Sequence, residues 1–266
     1  LFTGRSSATS EEVGNDGSMK HAGDGEDMLC FDMPRWRFDL LHPVDIVEDL
    51  AIGHGYEDLG VDVPKAPMNA IPRQDNHLRR RIRTSMQGMG FMQIQSLTLS
   101  NDQDQFDRMR WKPFNEITRI TNPITLEHTM MRHFLLPGLL RLLASNRHHD
   151  LPQSVYELGT VVRDHTNMDR LAFLTAERTG GFAAIRGRIQ ALLRDIGAEN
   201  IAIEALPENE GPWLAGRAAR VLLNGEWVGC FGEIDPTISQ SFELLVPLNG
   251  AEFDVEALKT AITDPV

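Results

Sequence analysis

The sequence predicts an α+β fold built around an antiparallel sheet, and three observations carry that expectation. In ARVLLNGEWVGCF, Asn224-Gly225 stands between two alternating apolar runs, which favours a type I′ turn and hence an antiparallel hairpin. The strand-like runs SVYELGTVV and LAFLTAE follow one another with no helix between them. Helical stretches stand apart from the strands in sequence, unlike the regular alternation of a doubly wound βαβ sheet.

Element by element, residues 1–28 are rich in Gly, Ser, Asp and Glu without apolar periodicity, and are expected to be a loop, a tail or the cut end of a preceding element. From Leu29 a short strand is expected, then a break at Pro34, an extended piece through Phe38, and a helix opened by Asp45 with Ile46, Leu50 and Ile52 inward. Gly53 and Gly55 end that helix. The run VDVPKAPMNAIP has the composition of an extended linker, so a domain boundary is placed near Pro67. Two domains, 1–67 and 68–266, follow from it.

In the second segment Leu78, Ile82, Met86 and Met89 recur at helical spacing and Gly90 supplies a stop. The stretch FMQIQSLTL alternates like a half-buried strand. A polar helix from Asp102 to Arg110, a short strand at Ile117–Ile120, a loop ITNPITLEHT and the apolar helix FLLPGLLRLLAS come next. After the two strands, a helix from Phe182 to Ile196 carries Ile185, Ile189, Leu192 and Leu193 on one side.

Composition bounds the function. The chain has 266 residues, 41% hydrophobic and 24% charged, which suits a globular protein with a proper core. No apolar run reaches the ~20 residues needed to span a bilayer, and the N-terminus lacks the apolar segment of a signal peptide. The formal net charge of -12 argues against a dedicated nucleic-acid coat. Cys30 and Cys230 form no CxxC or Cys/His cluster, so a reducing cytoplasm is the expected compartment. Because the sequence begins at Leu1, a longer protein is expected.

The densest candidate site is RFDLLHPVDIVED, with Asp39, Asp45, Glu48 and Asp49. Two readings stand open. A hard cation such as Mg²⁺ takes carboxylate oxygens, and an Asp facing the first turn of a helix can help assemble such a cluster. Alternatively, Asp45 and Glu48 form a capping box and the acids complement the helix dipole. In RRRIR, Arg79, Arg80, Arg81 and Arg83 fall on the outer side of their helix and are expected to be solvated, with RNA contact as the sharper alternative. His148-His149-Asp150 is expected to be a surface feature. Phosphate-loop, dinucleotide, GxSxG and HExxH signatures are missing from the sequence.

Four blocks, in order, resemble the beta subunit of phenylalanyl-tRNA synthetase in its archaeal and eukaryotic form. They are MPRWRFDLLHPVDIVEDLAIGHGY, ITNPITLEHTMMRHFLLPGLLRLLASNRH, PQSVYELGTVV and WLAGRAARVLLNGEWVGCFGEIDP. The resemblance implies a small helix-turn-helix-like B5 domain up to about Pro67, followed by a class II aminoacyl-tRNA synthetase-like module with an antiparallel sheet and flanking helices. It implies Mg²⁺ shared with an alpha subunit and held by Asp39, Asp45, Glu48 and Asp49. It also implies ATP bound by that alpha subunit, an (αβ)₂ heterotetramer, and tRNA(Phe) as a partner. Further N-terminal modules, an editing domain among them, are expected of the complete subunit.

Catalysis by this chain itself is not expected. Class II sites hold the ATP α-phosphate with an Arg two residues before a strand Glu, and the position two before Glu157 is Val155. No Arg follows Arg220, so the second, late Arg is missing too. The resemblance thus implies a non-catalytic subunit. An independent class II-like ligase and a nucleic-acid-binding module are the alternatives.

Overall fold

The computed structural model describes residues 4–6, 18–21, 29–32, 36–60, 74–207 and 211–262. Two compact units divide the chain, Leu1–Asn69 and Ala70–Val266. Pro34, the expected linker and the expected boundary at Pro67 lie outside the described residues.

In the first unit β1 (Gly4–Ser6), β2 (Ser18–His21) and β3 (Leu29–Asp32) form an antiparallel sheet in the order β1-β3-β2. Cys30 of β3 faces Arg5 on one side and Lys20 on the other. β1 and β2 lie where no element was expected, because strands of three and four residues are too short to display a period. Residues 36–40 turn rather than extend. Helix α1 (Pro43–His54) follows, and its start differs from expectation. His42 is the N-cap: its Nδ1 accepts the Val44 N–H at 3.3 Å, while Asp45 Oδ2 accepts the His42 N–H at 2.8 Å. The capping box is therefore His42/Asp45, one turn earlier than Asp45/Glu48. Its inner face is narrower as well: Ile46 is buried, but Leu50 and Ile52 are exposed. Gly55, at φ 102, ends the helix where a side chain would be strained.

The second unit is a seven-stranded sheet in the order β4-β7-β8-β12-β11-β10-β9. Its strands are β4 (Met92–Gln93), β7 (Gln153–Arg163), β8 (Thr166–Ala176), β9 (Ile201–Ala205), β10 (Trp213–Leu223), β11 (Glu226–Ile234) and β12 (Leu248–Asp254). All pairs are antiparallel except β4 with β7. β7 and β8 run together from Gln153↔Ala176 to Arg163↔Thr166, and β10 and β11 close at Leu223↔Glu226. Asn224 and Gly225 have φ 52 and 85, as the expected I′ hairpin requires. A two-stranded piece, β5 (Leu99–Ser100) with β6 (Met130–Met131), stands apart from this sheet.

Both faces of the sheet are covered, so its central strands are buried on both sides. Tyr156, Phe173, Phe231 and Phe253 pack on one face with α2 (Gln74–Gly88), α4 (Phe182–Asp195) and α6 (Val255–Ala261). Leu78, Ile82 and Met86 of α2 and Ile185, Ile189, Leu192 and Leu193 of α4 are the residues that the 3.6 period marked as inward. The opposite face holds Val155, Ala172, Leu174 and Ile234 against α3 (Leu136–Ser145) and α5 (Pro236–Ser241).

Three expectations hold only in part here. FMQIQSLTL gives only β4 and β5, and Ile117–Ile120 gives one isolated bridge, Arg119↔Met130. The expected polar helix Asp102–Arg110 shortens to a π-helix, Gln103–Asp107, and is less polar in its setting than expected, with Asp104, Gln105 and Phe106 buried. Gln105 goes inside because its amide oxygen accepts the backbone N–H groups of His133 and Phe134, satisfying both ends of the contact.

Candidate functional site

The four carboxylates of the first unit are held differently. Arg37 donates from Nε to Asp39 at 3.0 Å and from Nη2 to Asp49 at 2.9 Å. That guanidinium holds Asp39 below the ordinary carboxylate range, and the two acids raise Arg37 in return. Asp45 Oδ2 accepts the N–H groups of Leu41 and His42, both at 2.8 Å. Glu48 is exposed on the outer side of α1. A hard cation needs several oxygens converging on one point. Among the described residues no three Asp, Glu, His or Cys side chains do so. As placed in this chain, Asp39, Asp45, Glu48 and Asp49 do not fit a magnesium ion, since the cation between Asp39 and Asp49 is Arg37.

On the α3 side of the sheet lies a second group of charges. Arg132 Nη1 meets Glu157 Oε1 at 2.8 Å with both side chains buried. Ser96 Oγ donates to Glu157 Oε2 at 2.6 Å and accepts from Arg132 Nη1 at 2.8 Å, and Arg132 Nε donates to the Thr160 carbonyl at 2.9 Å. Glu252 is equally buried. Its Oε1 accepts from Arg170 Nε at 2.8 Å, while Oε2 accepts the N–H groups of Leu135 and Leu136 at 3.2 and 3.1 Å, where α3 begins. A carboxylate there satisfies helix donors that would otherwise be orphaned.

Val155, where the sequence argument sought an anion-binding Arg, is buried in the core under α3. The unbroken register of β7 keeps residues 155, 157, 159, 161 and 163 on one face. Arg163, at the end of that row, is the guanidinium that sequence reasoning missed. It donates from Nε and Nη2 to the His133 carbonyl at 3.2 and 2.9 Å, and lies 4.8 Å from the ring centres of both Phe114 and Phe134. The period-2 step from Val155 could have flagged it; the fixed offset from Glu157 could not.

The basic run splits up. Arg79 is ion-paired to Asp169, and Arg81 Nη2 donates to the Asp195 carbonyl at 2.8 Å. Arg80 is exposed, whereas Arg79, Arg81 and Arg83 are partly covered, so Arg79 and Arg81 tie α2 to its neighbours and the run is not a fully solvated face. His148, His149 and Asp150 are exposed beyond the end of α3, with the two rings 4.2 Å apart.

Profiles of two known families match this architecture. The phenylalanyl tRNA synthetase beta chain CLM domain matches residues 60–255, and the tRNA synthetase B5 domain matches residues 17–56. The chain belongs to the phenylalanyl-tRNA synthetase beta chain family. Curated relatives named phenylalanine–tRNA ligase beta subunit agree with that membership. The one from Archaeoglobus fulgidus is 34% identical over 85% of this chain and 41% of its own length, and that from Methanothrix thermoacetophila is 34% identical over 84% and 41%. A third, from Methanosarcina barkeri, is 32% identical over 88% of this chain and 42% of its own. The chain thus spans about two fifths of the length of these relatives. Among solved structures, the Desulfitobacterium hafniense pyrrolysyl tRNA synthetase PylSc aligns with a TM-score of 0.58 at 15% identity, over 70% of this chain and 67% of that one. That likeness concerns the fold: an antiparallel sheet of class II synthetase type with flanking helices, as expected.

Proposed function

We propose that this chain acts as a non-catalytic beta subunit of phenylalanine–tRNA ligase, supporting ATP-dependent attachment of phenylalanine to tRNA(Phe) by an alpha subunit. The observation that carries the reading is the family membership across residues 60–255. Val155 in the core and the lack of any Arg after Arg220 support the non-catalytic part, since a phosphoryl group in transfer is stabilised by fixed guanidinium charge. ATP would be held by the alpha subunit, the complex would be an (αβ)₂ heterotetramer in the cytoplasm, and no described helix is long and apolar enough to cross a membrane. Magnesium shared with the alpha subunit would require Arg37 to give up Asp39 and Asp49.

The test is ATP–pyrophosphate exchange dependent on phenylalanine. The purified chain should give no exchange above a mock preparation, and exchange should appear with a cognate alpha subunit. Turnover by the chain alone that survives removal of host synthetase would support the independent ligase instead.

A further inference from the structure

A cavity of about 360 Å³ lies at one end of the large sheet, where β11 runs into α5 and the loop 243–247 leads into β12. Its volume suits a small ligand. The walls are aliphatic, formed by Leu214, Ile234, Leu244, Val246 and Leu248, and no aromatic ring or cationic side chain lines it among the described residues. Two acceptor-bearing residues line it instead, Asn249 of β12 and Glu233 of β11. They are directly opposed in the antiparallel register, which sets their Cβ atoms about 5 Å apart.

Asn249 is unlike the rest of the sheet interior. It is only 1% exposed, yet its Oδ1 has no hydrogen-bond partner among the described residues, while its Nδ2 end lies against Gly180. A buried amide oxygen left unpaired forfeits its hydration with nothing in return, so a native fold seldom keeps one without a use. Glu233 also has capacity in reserve. Its Oε1 accepts the Phe182 N–H at 2.7 Å, where α4 begins, and Arg217 Nη1 at 3.1 Å. Both contacts fall on one oxygen, which leaves Oε2 for a further donor. Arg217 itself is largely exposed, so its hold on Glu233 is screened by solvent.

We propose that this cavity binds a small primary amine with a branched aliphatic body. An ammonium carries three donors, enough to give Asn249 Oδ1 the partner it lacks and to reach Glu233 Oε2 beside it. The body would lie against the aliphatic walls, where burial of its methyl groups adds to the charge-assisted hydrogen bond. An anion is disfavoured, because Glu233 is the one charged side chain among the described residues that line the cavity.

The experiment titrates the 266-residue chain with isoamylamine, isoamyl alcohol, methylamine and isovalerate near neutral pH, read by calorimetry. Saturable binding of isoamylamine is expected, in the millimolar range usual for so few heavy atoms. The alcohol, which lacks the charge, and methylamine, which lacks the body, should each bind at least about tenfold more weakly, and isovalerate not at all. Asn249→Leu should weaken isoamylamine binding by about tenfold or more, and Glu233→Gln by about threefold or more. Arg217→Met, outside the cavity lining, should act in the opposite direction and tighten binding by about threefold, because Glu233 is then left with the ligand as its cation. Should Asn249→Leu fail to fold, Glu233→Gln and Arg217→Met carry the test. No saturation by isoamylamine up to tens of millimolar, or affinity unchanged in every variant that folds, overturns the proposal. The alcohol binding as tightly as the amine overturns it equally, because the two acceptors would then contribute nothing, and so does methylamine binding as tightly, because the aliphatic walls would be idle.

Discussion

Arg132 and Glu157 meet at 2.8 Å with 5% and 1% of their side chains exposed, an ion pair sealed between the sheet and the loop that carries Ser96. Their positions lie 25 residues apart in the sequence. Inside a protein such a pair adds little over an apolar replacement of the same shape, but removing one member strands the other.

Glu157→Leu should therefore destabilise the chain by about 3 to 5 kcal/mol, since it leaves the Arg132 guanidinium buried and uncompensated. Arg132→Met should cost a similar amount, and the double variant should lose much less than the sum. Urea unfolding of the four proteins measures the coupling. Additive losses would mean that the two groups do not act as a pair.

Gly159 lies directly beneath this pair. A Cβ there would come within 2.7 Å of Arg132 Nη2 and 2.8 Å of Glu157 Oε1. Gly159→Ala should consequently destabilise by about 1 to 3 kcal/mol, by crowding a close-packed polar contact. In an Arg132→Met/Glu157→Leu background the penalty should shrink, and an unchanged penalty would locate the strain elsewhere.

How much of this was legible in the sequence depended on distance along the chain. The inward face of α4 reads directly, since Ile185, Ile189, Leu192 and Leu193 recur on one side within a few turns. β9 does not: Ile201, Ala202, Glu204 and Ala205 are exposed on an edge strand, where burial imposes no pattern. Asp104 looks like a surface acid, yet it is buried because Arg108 and, from 37 residues away, Arg141 neutralise it at 2.8 and 2.6 Å. The acids around α1 were found by local spacing, which also suits a capping box; the role of Arg37 between Asp39 and Asp49 required coordinates.

His133 should make the chain acid-sensitive. It is fully buried, and neither ring nitrogen has a hydrogen-bond partner among the described residues. Burial, aided by the Arg163 guanidinium, holds it below its ordinary value of 6.5, against smaller opposing effects of Asp164 and the Met131 and Phe114 carbonyls. The unfolded chain therefore takes up this proton first, and the His133 contribution to stability, whole above the ordinary value, is lost as pH falls from there toward the folded one. Urea midpoints at about pH 7.5 and about pH 5.5 should fall in the wild type and fall less in His133→Leu. Equal acid sensitivity of the two would assign the effect to other groups.

Magnesium should leave the melting temperature of this chain on its own unchanged. Arg37 already neutralises Asp39 and Asp49, and Asp45 is committed to the backbone of Leu41 and His42. Asp39→Asn should thus show the same flat magnesium response as the wild type. Arg37→Met should create a magnesium response by releasing both acids. A magnesium-dependent rise in the wild type that Asp39→Asn abolishes would show instead that the ion displaces Arg37.

Partner binding should depend on the loop that precedes β6. Ile124 is wholly exposed at 101%, with Leu126 at 87% and Leu97 at 66%. Single exposed apolar residues are ordinary, but two on one loop suit an interface core better than a solvated turn. If the proposed function holds, the alpha subunit would cover this loop. Because neither side chain packs against the fold, Ile124→Asp with Leu126→Glu should change the stability of the isolated chain by no more than about 0.5 kcal/mol. The same pair of charges should abolish co-purification with a cognate alpha subunit, since burying an unpaired carboxylate at an interface is costly. Undiminished co-purification would place the alpha contact on another surface, while a large loss of stability would mean that the loop packs against its own chain.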